Sequence, residues 1–290
     1  MTPPAAACRS CGAPLATTFV NLGMSPLCES FVPASRLHEM EPFYPLQVFV
    51  CDRCLLVQLL AYVPGEEIFS EYAYFSSYSD AFLAHAQGYV AMAIERFGLT
   101  PAHRVVEVAS NDGYLLQYVV QAGIPALGIE PAANVARDAE ARGVPTRVKF
   151  FGRETARALA AEGLRADLMV ANNVIAHVPD LNDFVGGFAI LLAPGGAWTI
   201  EIPHLLRLVE GTQYDTIYHE HYTYFSFHAM EDVLRRHRLE VFDVEEIWTH
   251  GGSLRYFVRH AGEDGRGGRL AVTPRVAEMR ERERAAGVTS

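Results

Sequence analysis

Residues 105–115 read Val105-Val-Glu-Val-Ala-Ser-Asn-Asp-Gly-Tyr-Leu115, and this stretch decides the fold. A short apolar run carrying Glu107 is followed by small residues, and a helical pattern begins at residue 114. A strand, a tight loop and a helix in this order are typical of a βαβ unit. Gly113 and the small residues beside it let backbone N–H groups approach a ligand closely. The stretch therefore predicts a ligand-binding loop at the end of a buried strand.

After Pro101 the chain alternates short apolar runs with amphipathic segments, which is typical of a mostly parallel sheet. Strands are predicted at residues 104–108, 126–129, 167–172 and 197–202. Helices are predicted at residues 81–97, 114–121, 132–142, 154–162 and 183–192. Pro194-Gly-Gly196 predicts a turn leading into the strand at residues 197–202. Residues 226–237 predict a helix with Ser226 as N-cap, and residues 239–247 and 253–259 predict two strands joined by a glycine turn.

The composition of the 290 residues, 50% of them hydrophobic, is typical of a globular protein with a sizeable core. No apolar stretch approaches the roughly 18–20 residues of a membrane-spanning helix, and the first residues lack the pattern of an export leader. We therefore expect a cytoplasmic protein with no membrane partner. The formal net charge of -10 disfavours nucleic acid as a partner, since phosphate binding requires concentrated positive charge.

The chain is predicted to divide into four segments. Residues 1–66 form a small module that needs a staple to fold, and residues 67–100 form an aromatic linker and helix. Residues 101–262 carry the α/β pattern. Residues 263–290 are polar and end in a predicted helix at residues 275–286.

Two C-x2-C pairs, Cys8-Arg-Ser-Cys11 and Cys51-Asp-Arg-Cys54, stand in the first segment. Each pair can present two thiolates to one tetrahedral zinc ion. Four cysteine ligands leave no open coordination position, so the predicted Zn2+ site is structural rather than catalytic. The alternative is a set of incidental buried cysteines. Cys28, the fifth cysteine, is expected to be a small buried apolar side chain.

The stretch at residues 105–115 resembles the E-x-G-x-G-x-G loop of class I methyltransferases, although Ala109 and Asn111 stand where that loop has its first two glycines. The resemblance implies a Rossmann-like α/β fold with a mostly parallel seven-stranded sheet and a terminal antiparallel hairpin. Glu130 would end the second strand with a carboxylate suited to ribose hydroxyls. Residues 167–179 resemble the fourth-strand motif beside the methyl-transfer pocket. The residues implied to hold S-adenosylmethionine are Glu107, Ala109, Asn111, Gly113, Glu130, Asn173 and His177.

A nicotinamide-binding Rossmann protein is the alternative for this segment. Its first loop is also followed by a strand acid about twenty residues further on. The terminal hairpin and the segment from Asn172 to His177 fit that alternative poorly.

Ionisable and aromatic side chains are densest in Tyr214-Asp-Thr-Ile-Tyr-His-Glu-His-Tyr-Thr-Tyr-Phe-Ser226. Helical spacing does not explain this run. Position 223 is threonine, so the run is not the H-E-x-x-H zinc motif of metalloproteases. A surface loop with chance histidines is the alternative, but so dense a group predicts the lining of a pocket.

Taken together, these segments resemble the deoxysugar C-methyltransferases of antibiotic biosynthesis. The matching segments are the two cysteine pairs, Leu22-Gly-Met-Ser-Pro-Leu27, Tyr72-Ala-Tyr-Phe-Ser-Ser-Tyr78, residues 107–113, residues 218–226 and His250-Gly-Gly-Ser-Leu-Arg255. Members of that family methylate C3 of a nucleotide-linked 4-keto-deoxyhexose, usually a dTDP sugar. The resemblance therefore implies a dTDP-linked 4-keto sugar as substrate and S-adenosylmethionine as methyl donor.

Such a reaction requires a base that removes the proton beside the C4 ketone, and donors that stabilise the enolate. By resemblance the base is His221, with Glu220 and Tyr218 beside it and Tyr72 contributing from the aromatic linker. An imidazole that titrates near neutrality suits this role. Glu220 is the alternative base, since burial raises a carboxyl pKa.

Three further alternatives stay open at the level of sequence. Relatives usually continue into a second Rossmann-like domain, so the chain is either a natural short form or a fragment. The acceptor can be another small molecule methylated on oxygen or nitrogen, because those reactions also use a histidine base. A non-catalytic zinc- and nucleotide-binding partner subunit is the alternative from a different class.

Overall fold

The computed structural model describes residues 6–28, 30–62, 75–264 and 268–289. The strands are β1 (Thr17–Ser25), β2 (Tyr44–Val50), β3 (Val57–Leu59), β4 (Val105–Val108), β5 (Ala126–Ile129), β6 (Thr146–Arg147), β7 (Ala166–Asn172), β8 (Leu192–Pro203), β9 (Thr223–Tyr224), β10 (Leu239–Ile247) and β11 (Ser253–His260). The helices are α1 (Asp80–Phe97), α2 (Leu116–Gln121), α3 (Ala133–Ala141), α4 (Arg153–Ala161), α5 (Leu181–Leu191), α6 (Leu205–Glu210), α7 (Phe227–Arg236) and α8 (Pro274–Ala285). Among the described helices, none has the length and apolar character needed to span a bilayer.

Seven strands form one sheet in the order β6-β5-β4-β7-β8-β11-β10. The pairs from β6 to β8 are parallel, and β11 runs antiparallel to both of its neighbours, β8 and β10. The predicted α/β fold with a terminal antiparallel hairpin is therefore confirmed. The sequence pattern missed β6, because a two-residue strand has no detectable periodicity.

Side chains alternate between the two faces of this sheet. Val105 belongs to an apolar cluster with α1 and α2, whereas its neighbour Val106 belongs to a cluster with α4, α5 and α7. Helices thus cover both faces, which explains why the central strands are almost continuously apolar. The predicted N-cap is also confirmed: the Ser226 side chain accepts a hydrogen bond from the Ala229 N–H at 3.0 Å at the start of α7.

One prediction in this region is wrong. Pro194-Gly-Gly196 does not form a turn ahead of the strand, because β8 already begins at Leu192 and runs through it. The ladder is irregular instead: Ala166 pairs with Leu192, and Leu168 pairs with Ala197. The positive φ of Gly195, 71°, accommodates this irregularity inside the strand.

A second sheet has the order β1-β2-β3-β9. Its first three strands come from the cysteine-containing segment, but β9 comes from the dense ionisable run more than 150 residues later. Val57 pairs with Tyr224 and Gln58 with Thr223. The sequence does not predict that the N-terminal module shares a sheet with the segment that carries His221.

Candidate active site

A cavity of about 470 Å³ lies at the carboxyl ends of β4, β5, β7 and β8. Each strand contributes a lining residue, respectively Val108, Ile129, Asn172 and Ile202. β4 and β7 are adjacent in the sheet, and the strand order reverses between them. In open α/β sheets, ligands bind at this reversal point.

The loop after β4 keeps the conformation of a glycine loop without two of the glycines. Ala109 has a φ of 54° and Asn111 a φ of 48°, both in the left-handed region, and Gly113 has a φ of 76°. Asparagine adopts this region more readily than most residues, whereas an alanine there costs about 1 kcal/mol. The two departures from the glycine pattern therefore leave the shape of the loop intact. Ala109 and Asn111 line the cavity.

Gly113 and Glu107, although predicted to bind the cofactor, are not among the cavity-lining residues. A Cβ on Gly113 would lie 3.0 Å from Val144 Cγ2, so this glycine allows the loop to pack against the body of the domain. Glu107 is 1% exposed, and its Oε2 has no hydrogen-bond partner among the described residues. Burial raises the pKa of Glu107, and the nearby carboxylates of Glu130 and Asp112 raise it further. Gly113 therefore allows close packing of the loop, and Glu107 is buried outside the cavity lining.

Glu130 occupies the predicted place at the end of β5 and lines the cavity. Its Oε2 accepts the Asn111 N–H at 2.9 Å and its Oε1 accepts the Ala132 N–H at 2.8 Å. Each carboxylate oxygen retains further acceptor capacity. Asn173, also lining the cavity, has both side-chain amide atoms buried without a partner in the described part of the chain. A ligand with hydroxyl groups and hydrogen-bonding edges, such as S-adenosylmethionine, fits this donor and acceptor set.

The other end of the cavity is lined by the dense ionisable run. Tyr218, Glu220 and His221 come from the loop before β9, and His177 comes from the turn after β7. The rings of His177 and His221 lie with centroids 4.7 Å apart. His177 was predicted near the methyl donor or the sugar, and the fold brings its ring next to the proposed base.

His221 is held in one tautomer by its hydrogen bonds. Its Nδ1 lies 2.8 Å from the Thr216 carbonyl oxygen, which can only accept, so Nδ1 carries the proton. The lone pair is therefore on Nε2, which lies 2.9 Å from the Tyr218 hydroxyl and accepts its proton in a hydrogen bond. We expected an imidazole that titrates near neutrality. Burial instead lowers the pKa of His221 to about 4, so the ring is neutral at physiological pH.

Glu220 also lines the cavity and lies close to His177. Its Oε2 is 4.0 Å from His177 Nδ1, and its Oε1 accepts a hydrogen bond from the Cys28 thiol at 3.0 Å. Burial lowers the pKa of His177 well below its ordinary value, and the neighbouring His221 lowers it further. Cys28 was expected to be a plain buried apolar residue. It is partly exposed and lines the cavity, a position that no pattern in the sequence indicates.

Three other residues, Tyr72, His219 and His250, belong to segments that the sequence linked to the site. Tyr72, predicted to be catalytic, lies outside the described residues. His219 points away from the cavity, because its Nε2 lies 3.2 Å from the Pro45 carbonyl oxygen and its ring packs edge-on to Tyr44. His250 lines the cavity with a φ of 52°, and only its place in the matching segment at residues 250–255 could have indicated it.

The four paired cysteines form the predicted metal centre. The Sγ atoms of Cys8 and Cys54 lie 3.5 Å apart, as do those of Cys11 and Cys51, and all four atoms lie within 4.8 Å of one another. Tetrahedral zinc with Zn–S bonds of about 2.3 Å requires sulfur separations of about 3.8 Å. The four thiols therefore fit one zinc ion, and they would fill its coordination sphere.

Known proteins resemble this chain in both its cysteine-containing segment and its α/β domain. A family model described as "Methyltransferase domain" matches residues 82–244, and one described as "Putative zinc binding domain" matches residues 8–69. The C-methyltransferase NovU of Streptomyces niveus is 35% identical over 281 residues, which cover 97% of this chain and 66% of NovU. A ubiquinone biosynthesis O-methyltransferase of Chelativorans sp. (strain BNC1) is 28% identical over 94 residues, 32% of this chain and 37% of that protein. A solved S-adenosylmethionine-dependent methyltransferase from Clostridium acetobutylicum covers 62% of this chain and 92% of its own, at 10% identity and a TM-score of 0.49.

The chain belongs to the S-adenosylmethionine-dependent methyltransferases with the class I fold. Its N-terminal cysteine cluster is a zinc-binding site. The chain spans 66% of the length of NovU.

Proposed function

We propose that this chain is a C-methyltransferase that acts at C3 of a dTDP-linked 4-keto-deoxysugar. The observation that carries the proposal is the neutral His221, whose Nε2 lone pair lies in the same cavity as the loop after β4. A base and a methyl-donor site in one cavity suit methylation of an acidic C–H bond. NovU, a C-methyltransferase by name, supports transfer to carbon rather than oxygen.

The donor end of the cavity would be formed by Ala109, Asn111, Glu130 and Asn173. Glu130 would accept hydrogen bonds from ribose hydroxyls. The Asn173 amide, which has no partner among the described residues, would bond the amino-acid portion or the purine edge. When bound, S-adenosylmethionine supplies an electrophilic methyl group. The protein's main task is therefore to make the acceptor carbon nucleophilic and to hold it in line.

At the acceptor end, His221 removes the proton from C3 at Nε2, leaving an enolate whose charge rests on the C4 oxygen. The Tyr218 hydroxyl, which donates to Nε2 in this structure, turns to donate to that oxygen. The C3 carbanion form would then be the nucleophile toward the methyl group, whose bond to the sulfonium sulfur breaks as the new C–C bond forms, and the thioether would be the leaving group. His221 would return its proton to solvent. The His177 ring lies beside the ring that becomes positive, and the Glu220 carboxylate lies 4.0 Å from His177, so this carboxylate would favour the positive charge through His177.

The low pKa of His221 does not oppose this role. A neutral ring is ready to accept a proton at any pH near neutrality, and its protonated form is disfavoured only while no counter-charge is present. The enolate formed in the same step supplies that charge within a poorly solvated cavity, where opposite charges attract strongly. Glu220 remains the alternative base.

The experiment is incubation of the zinc-loaded protein with S-adenosylmethionine and a panel of nucleotide-linked 4-keto sugars. A product heavier by one methyl group, with a new carbon-bound methyl in its NMR spectrum, is expected for dTDP-linked 4-keto-deoxysugars. A methyl on oxygen or nitrogen would refute C-transfer. Binding of S-adenosylhomocysteine with no turnover across the panel would favour a non-catalytic partner subunit.

A further inference from the structure

Arg9, inside the first cysteine pair, extends its side chain between the metal module and the active-site segments. Its Nη1 donates to the Pro179 carbonyl oxygen at 2.7 Å, and its Nη2 donates to the Leu59 carbonyl oxygen at 2.5 Å. Its guanidinium carbon lies 4.9 Å from the centre of the Tyr222 ring. These contacts connect one arginine to three separate segments of the chain.

Two of those segments carry the proposed acid–base residues. Pro179 is two residues after His177, and Tyr222 directly follows His221. The same segments are tied to each other, since the Tyr222 N–H donates to the Ala176 carbonyl oxygen at 2.7 Å. Arg9 therefore contacts both segments close to the place where the His177 and His221 rings pack against each other.

The backbone around Arg9 is fixed as firmly as its side chain. The Arg9 N–H donates to Gln58 Oε1 at 2.9 Å, and Gln58 Nε2 contacts the Cys8 thiol at 3.2 Å. Asn182, at the start of α5, donates to the Arg9 carbonyl oxygen at 2.8 Å. The position of the guanidinium is thus set by the metal cluster on one side and by the methyltransferase domain on the other.

We propose that Arg9 is a positioning residue through which the zinc cluster holds His177 and His221 in register for proton abstraction. This inference rests on the proposed function, because it assigns these histidines to the reaction. Its physical basis is geometric: two charge-assisted hydrogen bonds and a cation–π contact add to the backbone hydrogen bond between Tyr222 and Ala176 in fixing the two segments. Displacing a catalytic group by about 1 Å can lower a rate by about 100-fold.

The test compares Arg9→Met, Arg9→Lys and Arg53→Met in the zinc-loaded protein. Arg53 is the arginine of the second cysteine pair and is exposed, so its variant is the matched control. For Arg9→Met we expect turnover and C3 proton exchange to fall by about 10- to 100-fold, with zinc content and affinity for S-adenosylhomocysteine unchanged. Arg9→Lys should lose less, because an ammonium group can still reach one carbonyl. Arg53→Met should match the wild type.

A readout independent of turnover separates this inference from the proposed function. Nitrogen NMR of the histidine rings should show His221 protonated at Nδ1 in the wild type, with shifted His177 and His221 signals in Arg9→Met. Histidine spectra and turnover identical to wild type in Arg9→Met would overturn the inference. If that variant does not fold, the same results in Arg9→Lys would overturn it. Absence of turnover in the wild type would refute the proposed function, and the spectra alone would then decide the role of Arg9.

Discussion

His221→Asn is the substitution that tests the proposed base most directly. Asparagine can still offer an N–H toward the Thr216 carbonyl, which Nδ1 contacts at 2.8 Å, but it has no basic nitrogen in place of Nε2. With a pKa of about 4, only about one His221 ring in a thousand is protonated at pH 7, so the wild-type base is fully available. The substitution should therefore remove the whole contribution of a general base, roughly 10²- to 10⁴-fold in kcat.

The assay is turnover of a dTDP-linked 4-keto sugar, with S-adenosylhomocysteine affinity measured by calorimetry. Affinity should change little, because His221 lies at the acceptor end of the cavity. His219→Asn is the matched control: it is two residues away in sequence, but its ring contacts Pro45 and Tyr44 rather than the cavity. The wild type should also exchange the C3 proton with solvent when S-adenosylmethionine is absent, and His221→Asn should not.

The pH profile adds a second readout. Since the neutral ring is the active form and its pKa is about 4, wild-type kcat/KM should stay flat from pH 8 to about pH 5 and fall only below that. Near-wild-type turnover in His221→Asn would refute the assignment of the base and direct attention to Glu220. An acidic limb near pH 6.5 would refute the reasoning about burial.

Four further predictions concern stability and the metal. Cys54→Ser should lose the bound zinc, about one per chain, and the cooperative thermal transition; full zinc content by metal analysis would contradict a four-cysteine site. Gly113→Ala should cost about 1–3 kcal/mol of unfolding free energy, because its Cβ would lie 3.0 Å from Val144 Cγ2 at a φ of 76°; an unchanged melting temperature would count against this. Ala109→Gly should raise stability by about 1 kcal/mol in urea melts by relieving its left-handed backbone, whereas a loss of stability would show that the alanine side chain packs usefully. Burial lowers the pKa of His221 from 6.5 to about 4, so the unfolded chain binds a proton at this site more readily than the folded protein. This difference contributes about 3 kcal/mol of unfolding free energy, which is present above pH 6.5 and is lost as the pH falls toward 4. Urea melts of His221→Asn at several pH values should lack that part of the pH dependence.

Much of the architecture is encoded locally and was predictable. The strands at residues 126–129 and 239–247 and the helix that begins after Ser226 follow from hydrophobic periodicity and a capping side chain, both of which act over a few residues. The paired cysteines are also a local signal, since their spacing alone matches zinc. The resemblance to known methyltransferases added the mostly parallel seven-stranded sheet and its terminal antiparallel hairpin, and the structure supplied the strand order.

The shape of the cofactor loop could be determined only from the backbone conformation in the structure. Sequence comparison counts Ala109 and Asn111 as two missing glycines, whereas the structure shows both in the left-handed conformation that glycine would adopt. A residue type records only a preference for a conformation. The packing of the surrounding domain decides whether that preference is overridden.

The sequence alone determined that this chain has a metal-stapled module, a strand–loop–helix for a cofactor and a dense run of ionisable residues, because each of these is a pattern within one short segment. Only the tertiary structure decided that His219 turns away from the cavity, that Cys28 lines it, that the His177 ring packs against His221, and that β9 completes the sheet of the zinc module. These outcomes depend on contacts between segments far apart in the chain. The free energy of such contacts comes from burial and hydrogen bonding that no single segment contains.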